Sequence, residues 1–488
     1  GTGAALDETV RVSAQDAWGR EAASADVHLQ VPAGQSATVP VSLDLPRGFF
    51  RVRTSLGEAS ADLRLALVAE LRERIADKPG RFGINHAAPS DLRMNLWQEG
   101  GMSWVRDWSY KWEQVQPTPG APFDFSLQDP QIDRVLGRGM HVLLCLPESS
   151  TTWCTTAPAE LIAQGERQVR AVRKYPPADY DAYRRYVAAV VEHVRDRVQW
   201  FEVMNEPNGQ AVPPEAYVKI LGAAFEAARG ADPQARIIGG QGAGPSSAFG
   251  WYQGILQLGA VGQMDAINLH IYPGDTPPRG YEDALRRLNQ EMAACGGVRP
   301  IWVTEWLYQA DDDADPTVAE WPPAGRVSDE LTAARLNLQL YVICMANGVE
   351  RFFQHTSHWP TRLNRATLMF DAFFEYRAAP RKAFAAHNAM VDLLGSNPSF
   401  AARLELGEEG YGAAFGTDAG GSAVVVWRER GADPVTVDLS ALPEGCVAHD
   451  LMGVALPRSF YELGADPIYI VTQSLPPDRL AREVQRLL

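Results

Sequence analysis

Two glutamates, Glu206 and Glu305, follow short apolar runs of the kind that form buried strands. Glu206 closes the run WFEVMNEP, and Glu305 lies in PIWVTEW. A carboxylate beside such a run is unfavourable unless it is paired, hydrogen-bonded or used in chemistry. Two carboxylates facing one cleft can cleave a glycosidic bond, because one protonates the leaving oxygen while the other attacks the anomeric carbon.

The segments around these glutamates predict the fold that would bring them together. Eight short apolar runs follow one another from about residue 80, most of them separated by segments with helical spacing. They are RFGINH, SWVRDWS, HVLLCLP, WFEVMNEP, RIIGGQG, DAINLHIYP, PIWVTEW and RFFQHTSHW. Eight strands alternating with helices over about 300 residues are typical of a (β/α)₈ TIM barrel. The alternative is an open doubly wound sheet, but no glycine-rich phosphate loop follows the first run.

In such a barrel the C-terminal ends of the strands share one cavity. Glu206 and Glu305 would end the fourth and seventh strands, and their spacing of 305 − 206 = 99 residues fits three βα units. Arg106, at the end of the second strand, is expected to keep Glu305 anionic. The negative charge of Glu305 would then favour the protonated form of Glu206. Glu202 has the same parity as Glu206, and we expect it to be a buried structural partner of a basic side chain.

These motifs resemble those of the clan of retaining (β/α)₈ glycoside hydrolases known as clan A. The nearest resemblance is to glycoside hydrolase family 39 and its bacterial exopolysaccharide-degrading relatives, and it spans about residues 80–390. It rests on Asn205–Glu206, on the His-x-Tyr pair His270 and Tyr272, on Glu305 and on Arg106. The resemblance implies that Glu206 is the general acid/base and Glu305 the nucleophile, with Asn205 contacting the sugar 2-hydroxyl.

Aromatic and histidine side chains at the predicted strand ends are candidates for substrate binding, because sugar rings have apolar faces that stack on aromatic rings. Trp359 is expected to form the floor of the site, and His86 to reach a sugar hydroxyl. The full set of expected substrate-binding residues is Asn205, Arg106, His270, Tyr272, His86, Trp108, Trp153, Trp306 and Trp359, and Trp112 and Tyr308 belong to the same group of mouth aromatics.

The ends of the chain have a different pattern. Short alternating runs, VHLQV, SATVPVSLDL and FFRVRTSL, predict an N-terminal β-sandwich over residues 1–76, and the barrel is expected over 77–392. The runs ARLEL, YGAAFG, SAVVVWR, VTVDL and IYIVT predict a C-terminal β domain over residues 393–488, which closes with a short helix in PPDRLAREVQRLL.

Composition excludes several other classes. The net charge of −15 argues against a nucleic-acid partner. No apolar run reaches the roughly 18 residues of a membrane-spanning helix. The acidic run DDDAD at 311–315 has Pro316 where a calcium loop needs glycine, so a solvated acidic loop is expected. No metal or cofactor site is predicted. Five cysteines are too few for a disulfide framework, and whether Cys145 and Cys154 are bridged stays open.

The sequence therefore predicts a retaining glycoside hydrolase acting on an oligo- or polysaccharide through a glycosyl-enzyme intermediate. A carbohydrate-binding barrel without turnover and a transglycosylase with the same mechanism are the alternatives. The family resemblance alone implies a secreted or periplasmic protein.

Overall fold

A computed structural model gives the fold of the chain. It describes residues 4–75, 79–85, 91–165, 169–209, 212–243, 249–273, 276–313, 327–356, 371–375 and 378–488.

The N-terminal region forms one antiparallel sheet of four strands in the order β2-β1-β3-β4. The strands are β1 (Leu6–Gln15), β2 (Glu21–Val31), β3 (Gly48–Leu56) and β4 (Ala59–Leu67). The strand expected over residues 36–45 is absent, and that prediction was wrong. Pro40 lacks the N–H that a strand ladder needs, and Val39 and Val41 are exposed at 45% and 37%, so the alternating pattern there has no buried face.

Eight parallel strands close into a barrel, which confirms the predicted fold class. They are β5 (Phe82–Asn85), β6 (Trp104–Asp107), β7 (His141–Leu146), β8 (Trp200–Val203), β9 (Arg236–Ala243), β10 (Ala266–Ile271), β11 (Ile301–Trp306) and β12 (Val349–His355). β12 pairs with β5 in parallel, so the sheet has no free edge. All eight predicted runs contribute one strand each.

Helices follow most strands of the barrel, and the longer ones bury apolar residues. The bounds are α1 (Arg72–Ile75), α2 (Asp91–Glu99), α3 (Trp112–Val115), α4 (Asp129–Leu136), α5 (Ala159–Ile162), α6 (Val169–Val172), α7 (Tyr180–Val194), α8 (Pro214–Ala231), α9 (Phe249–Gln257), α10 (Gly280–Ala294), α11 (Glu330–Ala346) and α12 (Lys382–Leu394). Asp179 caps α7 by accepting from the backbone N–H groups of Asp181 and Ala182. No helix in the described part of the chain has the length and apolarity needed to cross a bilayer.

The barrel interior has two layers of different character. Its floor is an apolar cluster formed by Trp104, Leu143, Ile238, Ala266, Trp302 and Phe353. A layer of polar side chains lies two residues further along three of the strands, with Arg106 on β6, Glu202 on β8 and Asn268 on β10. All three are fully buried. The floor therefore closes one end of the barrel and leaves a polar layer beneath the opening at the C-terminal strand ends.

The C-terminal region is also β structure, as predicted. Its strands are β13 (Ser399–Arg403), β14 (Gly410–Gly416), β15 (Ser422–Arg428), β16 (Val435–Asp438), β17 (Cys446–His449), β18 (Phe460–Leu463) and β19 (Ile468–Thr472). Five of them form a sheet in the order β13-β14-β15-β19-β17, and β16 pairs with β18. The predicted closing helix is α13 (Pro477–Leu487), which buries Leu480 and Val484 in a second apolar core. All five cysteines are free, so Cys145 and Cys154 are not bridged.

The described part of the acidic run after β11, residues 311–313, is partly to largely exposed, in line with the prediction of a solvated loop, and it also binds arginines. Asp313 accepts from Arg64 of β4 at 2.7 Å, and Arg64 also donates to Glu330 at the start of α11 at 2.8 Å. Asp311 pairs with Arg381 at 3.2 Å. Arg64 and Arg381 are nearly buried, so these acids fix the N-terminal sheet against the segment that follows β11.

The close packing of the barrel floor makes a testable prediction at Gly83 on β5. A Cβ at this position would lie 2.7 Å from the Trp104 Cβ and 2.8 Å from the Phe353 ring. We expect Gly83→Ala to lower the free energy of unfolding by about 1–3 kcal/mol, because the overpacked side chains must shift. Denaturant titration measures the change.

Gly230→Ala is the matched control, since Gly230 is an exposed residue of α8 and a Cβ added there would meet no atom within 4 Å. Its stability should be unchanged or higher by up to about 1 kcal/mol, because alanine favours helix. Equal stabilities of the two variants would contradict the packing argument.

Candidate active site

Arg106, at the end of β6, is the centre of the polar layer. Its side chain is fully buried, and its Nη1 donates to Glu305 Oε1 at 2.7 Å. Its Nε donates to Glu202, and its Nη2 donates to Asn205 Oδ1 at 3.0 Å. Burial opposes the charge of the guanidinium, but Glu202 and Glu305 outweigh that effect and raise the pKa of Arg106 above its usual value. Arg106 therefore remains a cation held between two carboxylates.

Glu202 lies below the site and holds Arg106 in place. Its second oxygen accepts from the Asn268 side chain, which also donates to Thr304 Oγ1 at 3.1 Å. The sequence predicted that Glu202 pairs with a buried basic side chain, and its contact with Arg106 agrees with that prediction. Asn268 was not foreseen, although it lies two residues before His270 on β10 and therefore has the same inward parity.

The Glu305 carboxylate accepts hydrogen bonds from two sides, and 7% of its side chain is exposed. In addition to Arg106, the Tyr272 hydroxyl donates to its Oε2 at 2.5 Å. Burial raises the pKa of Tyr272, and the charge of Glu305 raises it further, so the phenol keeps its proton and remains a donor. The pairing register shifts between Leu269 and His270, and this irregularity places His270 directly beside Glu305.

Glu206 has different surroundings. It lies just beyond β8 and its φ is +47°, while Met204 has a φ of +67°. Non-glycine residues in the left-handed region store strain and cluster at functional sites. The Glu206 side chain is 32% exposed, and its Oε1 lies 2.9 Å from His270 Nδ1. An oxygen of Glu206, an oxygen of Glu305 and a ring nitrogen of His270 lie within 4.8 Å of one another.

The aromatic candidates divide into two groups. Trp108 is half-buried with the Arg106 guanidinium 4.8 Å from its ring centre, and Trp153 is half-buried beside Trp112. Trp306 is fully buried with its ring 4.4 Å from that of Tyr341 on α11. Trp306 therefore belongs to the layer between barrel and helices, which corrects its assignment to substrate binding.

Two further aromatics that the sequence placed at the mouth are also core residues. Trp112 is fully buried and stacks on Tyr186 of α7 at 5.3 Å. Tyr308 is fully buried and donates to the Thr276 carbonyl at 2.5 Å. His86 and Trp359 lie outside the described residues.

Two further side chains lie beside the site. His355, at the end of β12, is edge-on to Tyr272 with ring centres 6.1 Å apart, and burial lowers its pKa even though Glu305 opposes that change. Cys145 Sγ lies 3.6 Å from Arg106 Nη2, and burial raises the pKa of its thiol. A thiol that keeps its proton is a poor nucleophile, so Cys145 serves packing.

Two groups of side chains in the described residues have the composition of a metal site. Asp311, Glu330 and Glu375 are close together, but Arg64 and Arg381 already bind them. Glu206, His270 and Glu305 form the other group.

Comparison with known families gives one match over part of the chain. The family model of glycoside hydrolase family 42, described as beta-galactosidase, matches residues 86–225, which is less than a third of the sequence. This stretch contains β6 to β8 together with Arg106 and Glu206. No curated protein sequence is significantly similar to the chain.

Solved structures match over nearly the whole length. A family 39 glycoside hydrolase from Bacteroides cellulosilyticus WH2 is 16% identical with a TM-score of 0.69, over 96% of this chain and 95% of that one. A monomeric beta-xylosidase from Caulobacter crescentus CB15 is 15% identical with a TM-score of 0.54, over 84% and 98%. A family 39 enzyme from Xanthomonas axonopodis pv. citri is 14% identical with a TM-score of 0.55, over 84% and 96%. These matches show a shared fold and confirm the predicted resemblance to clan A glycoside hydrolases, family 39 among them.

The contacts of Arg106 predict a large effect of removing its charge. In Arg106→Met, Glu202 and Glu305 would stay buried without their cation, so we expect the free energy of unfolding to fall by about 3–5 kcal/mol. Arg11→Met is the control, because Arg11 pairs with Glu21 on the surface with both side chains 50% exposed. Its loss should be below about 1 kcal/mol. Denaturant unfolding measures both variants, and a similar small loss in each would show that Arg106 does not carry the buried network.

Proposed function

We propose that this chain is a retaining glycoside hydrolase that cleaves an oligo- or polysaccharide by double displacement. One observation carries the proposal: Glu206 and Glu305 face each other with oxygens within 4.8 Å, at the C-terminal end of a closed barrel. Retaining enzymes place their two carboxyl groups about 5–5.5 Å apart, whereas inverting enzymes leave room for a water between them at about 6.5–9.5 Å. The short separation favours retention.

The unequal surroundings of the two carboxyl groups support different roles. Glu305 is nearly buried and accepts from Arg106 and Tyr272, which stabilise its anion and suit a nucleophile. Glu206 pairs with no arginine of the described residues, is more exposed and faces His270, which suits a group that gives and takes a proton next to water. In the first step Glu305 attacks the anomeric carbon while Glu206 protonates the leaving oxygen. In the second step Glu206 deprotonates a water that releases the sugar.

Neighbouring residues would orient the sugar. Arg106 Nη2 donates to the Asn205 side-chain oxygen and so orients the amide, and by the family resemblance we propose that Asn205 contacts the sugar 2-hydroxyl. Half-buried Trp108 and Trp153 offer rings for stacking. By family resemblance alone, we also propose that the protein is secreted or periplasmic.

Two alternatives use the same site. A carbohydrate-binding barrel without turnover would bind sugar and release no product, with or without either carboxylate. A transglycosylase would pass the glycosyl group from Glu305 to a sugar acceptor instead of water, and product masses distinguish that outcome from hydrolysis.

Replacing each glutamate should produce a different loss of activity on aryl glycosides. Glu206→Gln should lower kcat/KM, which reports the first step, by about 10²–10⁴-fold on glycosides with poor leaving groups. The loss should be much smaller with a dinitrophenyl leaving group, which departs without a proton. Glu305→Gln should be inactive on both, because the nucleophile itself is missing.

Glu226→Gln is the control, since Glu226 is a 68% exposed glutamate of α8. It should keep full activity. If all these variants, together with wild type, bind sugar and none turns it over, the binding alternative replaces this proposal. An inverted product anomer would contradict Glu305 as the nucleophile.

Tyr272 should matter through its hydrogen bond to Glu305. We expect Tyr272→Phe to lower kcat/KM by about 10- to 100-fold, in line with the roughly 1.5–3 kcal/mol of a hydrogen bond to a charged group. Tyr308→Phe removes a hydroxyl that donates to the Thr276 carbonyl instead of a catalytic carboxylate, and it should leave kcat/KM within about twofold of wild type. Equal losses would mean that Tyr272 acts only in packing.

A further inference from the structure

We propose that Glu206, His270 and Glu305 form a reversible binding site for a zinc ion, in addition to their proposed role in catalysis. Each residue offers one donor atom of a type that zinc accepts, a ring nitrogen from His270 and a carboxylate oxygen from each glutamate. This is a different property from hydrolysis, and it can be measured without any sugar.

The donor atoms are close to the spacing that zinc requires. His270 Nδ1 lies 2.9 Å from Glu206 Oε1 and 3.4 Å from Glu305 Oε2. In a tetrahedral site with bonds of about 2.0–2.2 Å, the ligand atoms are about 3.4 Å apart. The oxygens of the two glutamates are within 4.8 Å, so a movement of the Glu206 oxygen of about 1.4 Å or less completes the arrangement while Glu305 stays in place. The fourth position is left to water.

The surrounding side chains hold the ligands in place. Glu305 is fixed by Arg106 Nη1 and by the Tyr272 hydroxyl, so its oxygens are already oriented. His270 is fully buried and its ring presents Nδ1 to both glutamates. Glu206 is 32% exposed, so it can adjust and is the side from which an ion reaches the site.

The local charge also favours a divalent cation. Two carboxylates, Glu202 and Glu305, pair with the Arg106 guanidinium, and Glu206 adds a third carboxylate beside Glu305. When all three are ionised, these four side chains sum to −3 + 1 = −2, which one Zn²⁺ neutralises.

The mixed donor set selects among metals. Imidazole nitrogen suits zinc and copper, whereas magnesium and calcium prefer an all-oxygen environment with more ligands. A bound zinc ion would occupy the carboxylate oxygens with which Glu206 and Glu305 act on a sugar. Zinc and a reacting sugar therefore cannot occupy the site at the same time.

The test is a titration of the metal-free protein with Zn²⁺ in competition with a chromophoric chelator near neutral pH. Wild type should bind one zinc ion at this site. His270→Gln and Glu206→Gln should each weaken binding by about tenfold or more, because each loses one ligand. Mg²⁺ in large excess should not displace the zinc. The Glu206 variant keeps the test valid if the His270 variant does not fold.

Surface histidines provide the control. His193 lies 2.8 Å from Asp129, and His28 lies 2.9 Å from Asp7, and both pairs are partly or largely exposed. A His28→Gln/His193→Gln double variant should bind zinc as wild type does. The proposal is wrong if wild type binds no zinc, if the double variant loses the site, or if the His270 and Glu206 variants keep full affinity. Zinc binding in a protein without hydrolytic activity would refute the proposed function and leave this inference standing.

Discussion

The structure depends on one buried interaction, the guanidinium of Arg106 shared between Glu202 and Glu305. An isolated charge in this layer would be strongly unfavourable, and an unpaired carboxylate there would be equally so. Arg106, Glu202 and Glu305 can each be buried with its charge because the other two are present. Their remaining polar atoms form hydrogen bonds with neighbouring side chains, which are Asn205 for Arg106, Asn268 for Glu202 and Tyr272 for Glu305. The apolar floor beneath excludes water from below, so the network is electrostatically strong and fixed in geometry.

That constraint explains why a barrel is needed to hold the site. Its members come from β6, β8, β10 and β11 and from the turns after β8 and β10, and they are as far apart in sequence as Arg106 and Glu305. Only a closed sheet brings the ends of these strands around one axis. The strand count, the order of the runs and the positions of Glu206 and Glu305 at strand ends were therefore predictable from sequence, since they follow from the repeat of β and α segments.

Side-chain direction was less predictable, and β11 shows why. Trp302 faces the floor of the barrel, so strict alternation would send Thr304 and Trp306 inward and Glu305 outward. The register shift between Val303 and Glu305 turns Thr304 and Glu305 inward together and sends Trp306 to α11. A bulge depends on strand partners that the local sequence does not identify. The same limit applies to Asp311 and Asp313, whose arginine partners are Arg381, just before α12, and Arg64 of β4.

The difference between the two carboxyl groups follows from how each is attached to the barrel. Glu305 is part of a strand, and the bulge drives it down towards Arg106, where it has little freedom. Glu206 lies past the end of its strand, and the left-handed conformations at Met204 and Glu206 turn it towards the opening. A fixed anion opposite an adjustable carboxyl group suits proton transfer across a reacting bond. The same pair, with His270 between them, forms the zinc site proposed above, so the features that suit the proposed catalysis would also suit a divalent metal.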